Sequence, residues 1–264
     1  MKVHLVIIDP QNSFCHTSGE LYVAGADQDC ERLANMINRL EDKIDQIHVT
    51  LDSHNEVDIA HPVFWLDKDG NHPNPFTIIS IDDIQNGNYT TRNPAHLKRA
   101  TEYVDSLAQN KRYPLCIWPP HCIIGSDGYQ IEENVSNAIR QWARNRFRLV
   151  DFVTKGSNPW TEHYSAIKAD VPDPNDPTTL VNSRFIDTVD QADLILVSGQ
   201  ALSHCVANTV TDLINEFGQE SVRKIVLLED TCSNVEGFEQ QGADFIRKAT
   251  DAGMRVDTSE NILK

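Results

Sequence analysis

Three residues able to carry out acyl transfer stand at distant points of this 264-residue chain: Asp9, Lys155 and Cys205. Cys205 follows the apolar run Leu194-Ile195-Leu196-Val197 and the turn Ser198-Gly199. It precedes Val206, Val210, Leu213, Ile214 and Phe217, which recur at helical spacing. The run reads as a buried parallel strand and the spacing as an amphipathic helix. Cys205 is therefore predicted where a strand turns into a helix, the place at which strand–turn–helix hydrolases present their nucleophile. The first amides and the dipole of such a helix favour a thiolate. A free thiol is mostly protonated near neutral pH, so a base or a positive field is needed as well. Asp9, which closes the apolar run of residues 3–8, can supply the base. Lys155 can hold that acid ionised and stabilise developing negative charge. Taken singly, each has a plainer use, as a small buried hydrophobe, a turn-opening acid and a solvated lysine. Their common position at strand ends is what argues for chemistry.

Asp52 and His54 lie two apart, so an extended chain projects both to one side. With His61 and His121 they form a set of one carboxylate and three imidazoles. That set suits one borderline divalent ion, zinc first, with iron or manganese as the others. Phe14 and Trp118, aromatics beside two of these groups, could sandwich a flat ring in a small pocket. His4, His16, His48, His72, His96 and His163 are read as structural.

The elements that must position these groups follow from periodicity. Strands are predicted over residues 3–8, 47–51, 149–154, 194–197, 224–228 and 254–256. Helices are predicted over 29–40, 94–109, 131–147, from 206 onward, and over 236–252. This alternation implies an α/β fold of three layers, with a central, mostly parallel sheet between helices. In such sheets ligands lie beyond the carboxyl ends of the strands. Asp9, Asp52, Lys155 and Cys205 all fall at such ends, so one edge of the sheet collects them. Residues 55–113 break the alternation, being polar and loop-like apart from one helix, and 169–182 form a Pro/Asp loop. The chain is read as a single domain over 1–264 with an insertion around 66–112.

The formal net charge of −16 argues against nucleic acid and anionic membranes as partners, and leaves a small-molecule substrate in a pocket as the expected one. No apolar run approaches 18 residues, the length of a membrane span. The first residues run straight into Asp9 with no small-residue cleavage site, which reads as a first strand and not a signal peptide. Six widely spaced cysteines without a CxxC pair suggest reduced thiols and a cytoplasmic setting.

Five segments, in order, bear a family resemblance. Asp9-Pro10-Gln11-Asn12-Ser13-Phe14-Cys15 resembles the D-x-Q-N-D-F motif of nicotinamidases and the wider isochorismatase-like cysteine hydrolases. Asp52-Ser53-His54 with His61 is similar to their D-x-H metal segment. Trp118-Pro119-Pro120-His121-Cys122 resembles W-P-x-H-C, the most specific match. Lys155-Gly156 with Tyr164-Ser165-Ala166 resembles K-G…Y-S-A-F, and residues 199–206 resemble G-x-A-x-x-x-C-V. The resemblance implies an isochorismatase-like fold and an amidase acting on a linear amide bond, feeding nicotinamide back into pyridine-nucleotide synthesis. It implies that Cys205 attacks the carboxamide carbon, Asp9 serves as base and then acid, and Lys155 tunes the pair. It further implies an oxyanion hole from the amides of Ala201 and Cys205, and a cis peptide between Gln200 and Ala201. The metal, held by Asp52, His54, His61 and His121, is implied to bind the pyridine nitrogen and orient the ring, with Phe14, Trp118 and Tyr164 against the substrate.

Two departures carry expectations. Gln200 stands where an apolar residue is common, and its amide could reach the substrate. The insertion falls between His61 and His121, where it could cover the pocket or form a contact in a homo-oligomer. Two other functions remain open on sequence: a cysteine hydrolase acting on a carbamoyl or ureido substrate, and a non-catalytic, metal-containing scaffold.

Overall fold

A computed structural model describes all 264 residues. Six strands form the central sheet: β1 (Val3–Ile8), β2 (Gln46–Asp52), β3 (Asp151–Lys155), β4 (Leu194–Gly199), β5 (Ile225–Leu228) and β6 (Arg255–Asp257). Their order is β6-β5-β4-β1-β2-β3, and every neighbouring pair is parallel. Six longer helices accompany them: α1 (Ala26–Arg39), α2 (Leu97–Gln109), α3 (Glu133–Arg146), α4 (Ser183–Asp190), α5 (Ala207–Glu216) and α6 (Glu239–Ala252).

Strand side chains alternate between two cores, which is why the chain makes three layers. Val3, Leu5 and Ile7 of β1 join Leu33, Ile37, Val135 and Ile139 of α1 and α3. Val6 and Ile8 point the other way, to Phe185 and Val189 of α4, Val210 and Leu213 of α5, and Phe245 of α6. Buried on both faces, β4 opens on the apolar run Leu194–Val197, and β1 is apolar but for His4. Each fully buried Leu or Ile contributes about 1.5–3 kcal/mol.

Register sets the site. Ile8 pairs with Gly199, so Asp9 emerges beside the loop that follows β4. Asp52 pairs with Lys155, which puts carboxylate and ammonium side by side at the ends of β2 and β3. Gly199 is required here: a Cβ would lie 2.0 Å from the Ile8 carbonyl oxygen.

Residues 55–113 hold more structure than a loop with one helix. Trp65–Asp67 pairs antiparallel with Tyr89–Thr91, Ile78–Ile79 pairs with Leu115–Cys116, and a short helix, Ile81–Gln85, opens on a Ser80/Asp83 capping box. Strands of two or three residues are too short for alternation to register in a sequence. The segment packs against the body of the chain. The Tyr103 hydroxyl accepts the Glu162 N–H at 3.0 Å, and Arg112 reaches Asp170 and Asp212. Helix α4 was also not expected; Asn182 caps it by accepting the Phe185 N–H at 3.1 Å. No helix is long and apolar enough to cross a membrane, and all six cysteines are unpaired and buried.

Candidate active site

Lys155 is the hub. Its Nζ lies 2.8 Å from Asp9 Oδ2, 3.0 Å from Asp52 Oδ1 and 3.6 Å from Cys205 Sγ. All four residues are buried. Asp9 is fixed by Thr50 on the neighbouring strand: the Thr50 hydroxyl donates to Oδ1 at 2.5 Å and accepts the Asp9 N–H at 3.0 Å. Burial works against charge on Lys155, but Asp52 and Asp9 outweigh it and raise its pKa well above the usual value. Burial raises the Asp9 carboxyl above the ordinary range, opposed by Lys155. It also pushes the Cys205 thiol well up; Lys155 pulls it down, and Asp9 and Asp52 add to the rise. The helix-end thiolate expected from the sequence is opposed here by burial and by two carboxylates, and favoured by Lys155 alone. Cys205 also sits in a single π-helical turn, Leu202–Val206, before α5 begins, so regular α-helical amides do not surround it.

Beside this set lie the imidazoles. Asp52 Oδ2 is 3.1 Å from His54 Nε2 and 3.4 Å from His121 Nε2, and the donor atoms of these three residues fall within 4.8 Å of one another. The far nitrogens are already engaged: His54 Nδ1 with Asp58 at 3.1 Å, and His121 Nδ1 with the Pro119 carbonyl at 2.8 Å. That leaves both Nε2 atoms facing the centre, the arrangement by which outer partners orient metal-binding histidines. His61 stands outside this three-residue cluster, its ring 5.1 Å from that of His54 and 5.6 Å from that of His121. It is fully buried, and neither ring nitrogen has a hydrogen-bond partner. Burial depresses its pKa to about 4, so it is the neutral imidazole that a metal takes. An orphaned buried imidazole next to three convergent donors fits a cation.

A pocket opens onto both groups. Phe14, Trp118, Tyr164, Ala201 and Cys205 line it, with Asp52, His121, Glu162 and His204. The Trp118 indole N–H donates to the Tyr164 hydroxyl at 2.9 Å, which fixes one wall. The Gln200–Ala201 peptide is cis. The Ala201 N–H has no acceptor within the protein.

Gln200 is a correction. Its side chain does not line the pocket; Nε2 donates to Asp29 Oδ2 at 2.9 Å, and Oε1 accepts the Ser233 N–H at 3.2 Å. A buried amide is satisfied where partners exist, and here they lie behind the loop.

Three functional candidates escaped the sequence reading. Glu162 lines the pocket, with Oε1 3.8 Å from His54 Nε2 and Oε2 unpartnered; burial, together with Asp58 and Asp52, lifts its pKa to about 8 against the pull of His54. Asp58 orients His54. His204 sits among the rings of Tyr113, Trp118, Tyr164 and Phe238, at centroid distances of 4.7–5.3 Å. Only adjacency to known motif residues could have flagged them.

This site is carried by a three-layer α/β fold that other solved structures share. Among solved structures, the chain is similar to the nicotinamidase/pyrazinamidase of Acinetobacter baumannii, with 20% identity and a TM-score of 0.66 over 99% of this chain and 98% of that one. The yeast nicotinamidase Pnc1p bound to the inhibitor nicotinaldehyde is 16% identical, with a TM-score of 0.66 over 97% and 99%. The pyrazinamidase of Pyrococcus horikoshii in complex with zinc is 14% identical, with a TM-score of 0.57 over 98% and 99%. No protein-family model matches the sequence, and no curated protein matches it.

Proposed function

We propose that the chain is a nicotinamidase, hydrolysing nicotinamide to nicotinate and ammonia. The observation that carries this is one ammonium, Lys155 Nζ, shared by Asp9, Asp52 and Cys205 beside a ring-lined pocket. Asp9 takes the thiol proton as Sγ attacks the carboxamide carbon. The same proton passes to the departing nitrogen, which leaves as ammonia. Water then attacks the thioester, giving its proton to Asp9, and the thiol is restored as nicotinate forms. Lys155 stays charged throughout and offsets the negative charge that moves between Asp9 and Sγ. The amides of Ala201 and Cys205 receive the oxyanion, each such donor contributing about 3 kcal/mol. Phe14, Trp118 and Tyr164 hold the ring. Asp52, His54 and His121, with His61 beside them, would hold one divalent ion, zinc first. When bound it supplies a Lewis-acid contact for the ring nitrogen. Pyrazinamide, with a second ring nitrogen, is an expected alternative substrate. We read the whole chain as one hydrolase domain, acting in the cytoplasm, with residues 66–112 as an insertion.

An ammonia-release panel tests this, with nicotinamide, pyrazinamide, simple amides and ureido acids offered to the protein and to Cys205→Ala, and metal content measured on the same samples. Release from the aromatic amides alone, abolished in the variant, is expected. Preference for a ureido acid would move the chain to the carbamoyl-hydrolase reading. Unchanged activity in Cys205→Ala would sink the mechanism.

A further inference from the structure

Gln200 and Ser233 hold Ala201 from both sides. Gln200, before it, accepts the Ser233 N–H on its side-chain oxygen at 3.2 Å. Leu202, after it, donates its N–H to the Ser233 carbonyl at 2.7 Å. The Gln200 N–H is itself bonded to the Ile8 carbonyl at 2.9 Å, next to Asp9. One carboxylate closes the network: Asp29 Oδ2 accepts both Gln200 Nε2 at 2.9 Å and the Ser233 hydroxyl at 2.6 Å. Asp29 Oδ1 accepts Arg32 at 2.6 Å, and Arg32 Nε donates to the Asp230 carbonyl at 2.5 Å. Gln200 and Asp29 are 1% and 3% exposed, so the bond between these two is shielded from water.

The chemistry of the cluster points one way. Asp29 accepts three donors and touches no reacting atom. Gln200 presents its donor to Asp29 and its acceptor to Ser233, so only one orientation of the amide satisfies both. The residue it orients, Ala201, faces the pocket beside Cys205 with its N–H unbonded. We propose that Gln200, held by Asp29 and Ser233, is a positioning residue that aims the Ala201 N–H at the oxygen of the tetrahedral intermediate. The proposal rests on the cysteine-amidase reading above. A side chain with no second polar end, such as leucine, fills the same space without fixing the loop.

The test separates oxyanion placement from ring binding. Nicotinaldehyde is the aldehyde analogue of the proposed substrate. Cys205 Sγ adds to its carbonyl carbon, the C=O π bond opens, and the thiol proton ends on the oxygen or on Asp9; the product is a tetrahedral thiohemiacetal whose oxygen needs the Ala201 N–H. Gln200→Leu is expected to lower kcat about 10- to 100-fold. Nicotinaldehyde affinity should fall by the same factor, while KM for nicotinamide stays within about 3-fold. Ser233→Ala keeps the backbone bonds and should show a smaller loss in the same pattern. Circular dichroism and thermal melting report whether each variant folds; if Gln200→Leu does not, Ser233→Ala carries the test. A rise in KM with kcat and aldehyde affinity unchanged would overturn the proposal, as would no change at all. The aldehyde arm needs only the thiol and the amide. A protein that hydrolyses no nicotinamide yet loses aldehyde affinity in Gln200→Leu would overturn the substrate reading and keep this one.

Discussion

Asp9 resists the ionisation of Cys205. Burial raises both, and the charge of Asp9 pushes the thiol further up, while Lys155 opposes the rise in each. In the proposed mechanism the proton therefore leaves sulfur only as a carbonyl carbon accepts the electron pair. This predicts two opposite effects of Asp9→Asn. Turnover should fall by about 10²–10⁴, the contribution of a positioned general base. The thiol should meanwhile ionise more readily, because a neighbouring negative charge is gone and Lys155 remains. Iodoacetamide should accordingly label Cys205 at lower pH in the variant than in the wild type. A labelling profile displaced to higher pH would contradict this electrostatic account. The residues behind this argument were legible in the sequence because each follows the carboxyl end of a strand that periodicity predicts. The directions of Gln200, Glu162 and His204 were not, since a buried polar side chain turns toward partners that only the tertiary fold supplies.

At the scale of elements, β1, β2 and β3 carry a second set of titratable groups across the sheet, near the ends opposite the candidate active site. His4 Nδ1 lies 3.0 Å from His48 Nε2, and His48 Nδ1 lies 2.9 Å from Asp151 Oδ2. Burial, then the neighbouring His48, depresses His4 to about 4; burial also lowers His48, against the pull of Asp151. The sign follows directly. Below pH 6.5 the unfolded chain binds a proton at His4 that the folded chain refuses until about pH 4. Stability is therefore lost as pH falls through that window, by at most about 3 kcal/mol from this residue. His4→Gln should flatten the difference in urea midpoint between pH 7 and pH 4.5; an unaltered difference would remove His4 from the acid response. The six strands were readable because runs such as residues 5–8 and 194–197 are apolar throughout. The hydrogen-bonded histidine row was not, because register between β1 and β2 is a property of the sheet and not of either strand.

For the whole molecule, a net charge of −16 says that acids dominate but not where they gather. Several are buried, and the 55–113 segment supplies a cation to two of them. Arg112, at its end, lies 3.6 Å from Asp170 in the loop after β3 and 3.2 Å from Asp212 on α5, the helix that follows Cys205. It also donates to Asn208 at 3.4 Å. One guanidinium thus joins the 55–113 segment, the loop after β3 and α5, a link no local pattern encodes because its ends are 58 to 100 residues apart. Burial raises Asp170 to about 7 even with Arg112 opposing it. Arg112→Leu leaves two buried carboxylates facing each other without a cation. Removing one partner from a buried ionic cluster costs about 3–5 kcal/mol. The remedy open to the variant is to protonate Asp170, whose pKa must climb further once the guanidinium is gone. A raised carboxyl costs stability above its folded pKa and is relieved as pH falls below it. The loss in Arg112→Leu should therefore be larger at pH 8 than at pH 6, by urea unfolding at each pH. Adding Asp170→Asn and Asp212→Asn should restore part of it and erase the pH dependence. A loss that is equal at both pH values would mean that packing of the arginine stem, and not its charge, ties the 55–113 segment to α5.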